Sequence, residues 1–71
     1  MQKFNKGDRV NVQYCDELSM PCFVEGLDVW MPCLTRDDGS VIYMYRVIGT
    51  HKRGNQISVR VSEAQLTHWQ E

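Results

Sequence analysis

The chain has no excess charge of either sign: eight Lys and Arg stand against nine Asp and Glu, a net charge of -1 over 71 residues. A protein that wraps nucleic acid is normally basic, so that class of function starts without its usual electrostatic signature. Long apolar runs are also lacking. The longest, Val41 to Tyr45, falls far short of the roughly 20 residues of a membrane helix. The opening residues, Met1 to Asp8, contain no apolar stretch of signal-peptide length, so the expected compartment is the cytoplasm. Cysteine is scarce and odd in number: Cys15, Cys22 and Cys33 leave at least one thiol unpaired. Small secreted scaffolds carry even sets, so reduced thiols are expected here. Two prolines and five glycines exclude collagen-like and low-complexity classes.

What remains is an ordinary globular composition, 42% hydrophobic and 24% charged, sufficient for one domain over residues 1–71. A chain this short buries only about 60% of its unfolded surface, so its core is small. The apolar period is that of strands. Val10, Val12 and Tyr14 alternate with Asn11 and Gln13 after the turn tripeptide Lys6-Gly7-Asp8. Ile57, Val59 and Val61 alternate with Ser58 and Arg60. Between them, Val41 to Ile48 is rich in β-branched and aromatic residues, with Val41, Tyr43, Tyr45 and Val47 on one face. Its other face holds Ile42, Met44, Arg46 and Ile48. A strand apolar on both faces is either central and covered twice or presents one face to a partner, and Ile42, Met44 and Ile48 are then the face for pairing with a second copy. Cys22 to Trp30 favours strand, with Gly26 marking a bulge.

Asp37-Asp38-Gly39-Ser40 is a hairpin turn, and Gly49 to Asn55 a longer, basic hairpin tip. Ser62 is placed to cap a single helical turn over Glu63 to Leu66, after which His68-Trp69 makes a short last strand. The expected core is Val10, Val12, Tyr14, Phe23, Leu27, Val41, Tyr43, Val47, Ile57, Val59, Val61 and Leu66. The triplet Met-Pro-Cys occurs at 20–22 and again at 31–33. It reads as punctuation, because proline confines a segment to a strand end, an edge or a loop.

The opening Lys6-Gly7-Asp8-Arg9-Val10-Asn11-Val12, the order of strands, and the closing Ile57-Ser58-Val59-Arg60-Val61-Ser62-Glu63-Ala64-Gln65-Leu66 together resemble SH3-like small barrels, the superfamily of Tudor and KOW-type domains. The resemblance implies an all-β fold, a small barrel of about five strands with one 3-10 turn near the C-terminus. Fold alone does not fix function. A remote alternative is the plasmid-type dihydrofolate reductase barrel, because Gly54-x-Gln56-Ile57 is similar to part of its Val-Gln-Ile-Tyr signature. Asn55 and Ser58 replace the Val and Tyr of that signature, and the spacing to Leu66 differs.

No catalytic or metal constellation emerges from the spacing, and no cofactor is expected. Cys15, Cys22, Cys33, His51 and His68 lack the short pair of cysteines that orients two thiolates on zinc. The expected function is therefore non-enzymatic: a macromolecule-binding module, most simply a small protein-interaction or modulator protein of the kind phages and mobile elements encode. The expected protein-contact patch is Asp16, Glu17, Leu18, Met20, Trp30 and Met31, where apolar side chains are flanked by acidic ones. The alternative is nucleic-acid binding through the tip His51, Lys52 and Arg53, which can contact phosphates, with Trp30, Trp69, Tyr43 and Tyr45 available to stack on bases.

Overall fold

Alternation builds the sheet. In the computed structural model, which describes residues 2–70, β1 (Arg9–Val12) sends Val10 and Val12 into the core while Asn11 faces outward. β2 (Leu18–Leu27), β3 (Cys33–Thr35) and β4 (Val41–His51) follow. β5 (Gln56–Ser62), the 3-10 turn η1 (Glu63–Gln65) and β6 (Leu66–His68) complete the chain. The fold is all-β, a six-stranded sheet whose ladders are all antiparallel. β6 lies beside β1, β1 beside β2 and β2 beside β4, while β5 pairs with the other side of β4.

The sheet is open, not the closed barrel expected from the sequence. The chain passes from β5 to β6 through η1, and no ladder joins those two strands. Ser62 sits extended at the start of η1, and the Gln65 side-chain oxygen accepts from its backbone N–H at 3.2 Å. The strand count is six where about five were expected, because Cys33–Thr35 pairs with Val41–Tyr43 as a strand of its own. β2 and β3 follow each other along one side of β4. Met44 accepts at its carbonyl from the Asp28 N–H and donates its own N–H to the Pro32 carbonyl. Pro32 has no N–H to offer, and Asp28 supplies the donor it lacks.

Two breaks in β2 decide which side chains are inside. Its register against β4 shifts between Ser19 and Phe23, around Pro21, and again between Val24 and Gly26. Proline is tolerated inside a sheet at such a break, so Pro21 lies within a strand, not at its end. The bulge at Gly26, where φ is 136°, inserts a residue and reverses the alternation. Val24 and Leu27 consequently both pack toward the core and Phe23 is turned out.

Phe23 is one of three corrections to the expected core. Tyr14 is 91% exposed, because β1 has ended by then and the chain reverses through a left-handed residue, φ 62°. Val41 is exposed because the β3–β4 hairpin extends past the core. The core itself comprises Phe4, Val10, Val12, Leu18, Cys22, Val24, Tyr45, Val47, Val61 and Leu66, with Leu27, Tyr43, Ile57 and Val59 packed against it. β2 begins at Leu18, not Cys22, and ends before Val29 and Trp30; the last strand is Leu66–His68.

Candidate functional site

The expected contact patch does not hold together. Leu18 is 3% exposed and belongs to the core. Met20 is half-buried, with its sulfur 3.7 Å from Cys22 Sγ and accepting from the Val12 N–H at 3.5 Å. Both are corrections: these side chains plug the interior. Asp16 and Glu17 are exposed at one end of β2. Trp30 and Met31 lie past the other end, about 20 Å away at the usual rise per strand residue, since the twice-broken β2 runs alongside only Tyr45–His51 of β4.

Glu17 instead joins the basic tip. Its carbonyl accepts from the Lys52 N–H at 3.0 Å, and its carboxylate lies 3.9 Å from His51 Nε2. His51 is half-buried, and its Nδ1 accepts from the Arg53 N–H. The tip therefore carries an anion beside its cations, which weakens its attraction for phosphate. Tyr45, one of the aromatics available for stacking, is buried. Its hydroxyl donates to Glu63 Oε2 at 2.6 Å and accepts from the Lys3 and Phe4 N–H groups. Burial first, and then the Glu63 bond, push the phenol up to about 12.

Ile42, Met44 and Ile48, the expected pairing face, are half-buried on the side of β4 away from the core. Arg46 interrupts the row. Arg46 Nη2 and Arg60 Nε each lie 3.0 Å from Asp28 Oδ2. The other oxygen, Oδ1, accepts from the Trp30 and Met31 N–H groups at 2.8 and 2.9 Å. Asp28 is 0% exposed and yet fully bonded. Burial alone would raise this carboxyl. The Arg60 hydrogen bond, the Met31 and Trp30 N–H groups and the Arg60 charge outweigh burial and hold it below the usual carboxylate range.

This carboxylate shapes the segment that sequence reasoning only half located. With Asp28 anchored, residues 29–31 are thrown outward, and Val29 and Trp30 stand 86% and 83% exposed. The β3–β4 hairpin beyond them is uncovered: all of Cys33–Thr35 is exposed, and Leu34 and Val41 add apolar surface. The result is an arm carrying Val29, Trp30, Met31, Leu34 and Val41. Trp30 and Met31 belong to the patch expected from the sequence, and both are exposed. Val29, Leu34 and Val41 do not belong to it, because their exposure depends on where the core ends. The signal available for the bend was an aspartate two residues ahead of Trp30, the spacing of a side chain that bonds its own following backbone.

The remaining candidates are dispersed. Cys22 is buried in the core, Cys15 half-buried and Cys33 exposed on the arm, while the His68 ring packs on Phe4 at 4.6 Å. The Cys22 thiol is pushed up by burial and then by the nearby Cys15, a direction that suppresses thiolate character. Among the described residues, no three His, Cys, Asp or Glu side chains group as metal ligands. A groove of about 390 Å³ is lined by Asn11, Thr67, His68, Trp69 and Gln70. Comparison with protein-family models, with curated proteins and with solved structures finds no match.

Proposed function

We propose that the chain is a non-catalytic binding module with the strand order of SH3-like domains on an open sheet, and that it recognises another protein through the arm. One observation carries the reading: at a bend fixed by a buried carboxylate, Val29 and Trp30 stand 86% and 83% exposed. A free tryptophan with neighbouring aliphatic residues and Met31 is the usual core of a protein contact. A rigid bend reduces the ordering cost of binding.

The SH3-like assignment is supported by the order β6-β1-β2-β4-β5 and by a single 3-10 turn between β5 and β6. Cytoplasmic modulators of phage or mobile-element origin suit a module of this size. The nucleic-acid alternative loses ground to Glu17, which partly offsets the charge of the tip.

The test is affinity capture with the full chain and with Trp30→Ala, run beside mobility-shift assays on DNA and RNA at low salt. Capture lost in Trp30→Ala, with no nucleic-acid shift, supports the reading. A shift abolished by Lys52→Glu and Arg53→Glu, with capture indifferent to Trp30, overturns it in favour of the basic tip.

A further inference from the structure

The arm has a second feature, a backbone edge that no strand among the described residues pairs with. β3 is the terminal strand on its side of the sheet. Its ladder with β4 places Cys33 opposite Tyr43, Leu34 opposite Ile42 and Thr35 opposite Val41. The flanking bonds, Arg36 N–H to Ser40 carbonyl and Met44 N–H to Pro32 carbonyl, fix which groups face β4. Residues 32, 34 and 36 point inward. By the alternation of an antiparallel ladder, Cys33 and Thr35 direct both N–H and C=O outward.

Natural edges of this kind are guarded by charge, proline or a covering element. β5, the edge strand on the opposite side of β4, carries the charge of Arg60. β3 carries no charge at all. Pro32 gives no protection either, because its missing N–H is on the inner side.

We propose that the free edge of β3 is a homodimer seam, on which a second copy pairs antiparallel about Leu34, with Cys33 of each copy facing Thr35 of the other. The proposal rests on the reading of the arm as a protein-binding surface and adds a second copy of the chain to what that surface binds. The geometry is self-matching. Outward groups at 33 meet outward groups at 35 in both directions, as a two-fold interface requires, and each such pair exchanges two hydrogen bonds.

Leu34 then meets Leu34 of the second copy in a non-hydrogen-bonded pair, where side chains approach most closely. On that face Ile42, Leu34 and their two mates form one apolar row across the seam, since cross-strand partners share a face. The register also sets Arg36 against Pro32 and Asp37 against Met31, so no like charges oppose each other. One member of the expected pairing face, Ile42, is included; Met44 and Ile48 lie farther along β4.

The experiment is sedimentation velocity on the full chain from micromolar to millimolar concentration, with three variants. A concentration-dependent dimer is expected. Thr35→Pro removes an outward N–H and leaves the β4 ladder intact, so it weakens the dimer about tenfold with an unchanged circular-dichroism spectrum. In a Cys33→Ser background, Leu34→Cys forms a disulfide dimer on mild oxidation, because the paired Cα atoms lie within bridging range, whereas Val41→Cys does not.

A chain that stays monomeric, with Leu34→Cys no faster to cross-link than Val41→Cys, overturns the seam. A dimer indifferent to Thr35→Pro but broken by Met44→Lys overturns it in favour of the other β4 face. If Thr35→Pro fails to fold, the cross-linking rates decide. A monomer that still captures a protein through Trp30 sinks the seam and leaves the binding reading standing. A dimer that captures nothing else does the reverse.

Discussion

The fold shifts the protonation of Asp28 and of Tyr45 in opposite directions. The Asp28 carboxyl is held below its ordinary value, so it contributes stability that is present above the unfolded value of 3.8 and lost as pH falls through the lower folded value. Asp28→Asn should flatten that acid limb. It should also leave two guanidinium groups without their shared anion and loosen the bend. The readouts are acid unfolding monitored by circular dichroism and hydrogen exchange at the Trp30 and Met31 amides, which donate to Asp28. Unchanged protection of those two amides would show that the bend does not depend on the carboxylate.

Tyr45 gives the alkaline counterpart. A phenol raised from 10 to about 12 contributes stability that is complete below pH 10 and lost as pH rises toward 12. Tyr45→Phe removes the ionisation, so the wild type should lose stability relative to this variant across that window. Parallel pH curves for the two proteins would contradict the assignment.

At the scale of the element, β2 and its contact with β4 hold most of what can go wrong. Gly49 lies on β4 directly over Cys22, and an added Cβ would come within 2.7 Å of the Cys22 sulfur. The sulfur is enclosed in the core, so Gly49→Ala should cost about 1–3 kcal/mol, as overpacking does. Cys22→Ala in the same chain should recover part of that loss. A urea-denaturation double-mutant cycle measures both.

β2 is also where sequence and structure part. β1, β5, the turn at Gly39, the capped turn after Ser62 and the bulge at Gly26 were all legible, because each rests on a local pattern or on one residue's backbone preference. The consequence of the bulge was not. Phe23 and Leu27 share a face in an unbroken strand, and the inserted residue separates them. Part of the expected patch was lost in the same way. Leu18 and Met20 look like loop residues because Pro21 follows them, yet the strand runs through that proline and carries them inside. Trp30 and Met31 were readable as exposed, but the hairpin that extends the arm beyond them depends on long-range pairing between Cys33–Thr35 and Val41–Tyr43.

At the scale of the whole molecule, the question is what holds an open sheet in a chain too small for a large core. Between β5 and β6 there is no ladder, and backbone hydrogen bonding does not close the fold. The N-terminal segment takes that role. Lys3 and Phe4 donate their N–H groups to the Tyr45 hydroxyl, and Lys3 also donates to Glu63 at the start of η1. The Phe4 ring, 4% exposed, stands edge-on to Tyr45 at 5.6 Å and lies against His68 of β6 at 4.6 Å. One aromatic side chain thus bridges β4 and the strand at the far end of the sheet.

Phe4→Ala should therefore cost about 3–5 kcal/mol, the range for a buried aromatic, although the residue precedes the first strand. That is a large fraction of the roughly 5–15 kcal/mol that holds a small domain together. Trp30→Ala, in contrast, should change stability by less than about 0.5 kcal/mol, as exposed substitutions do. Urea denaturation of the two variants separates a residue that closes the sheet from one that is free for a partner. If Trp30→Ala proved the more damaging, the tryptophan would be part of the packing and the arm would lose its claim to be a contact surface.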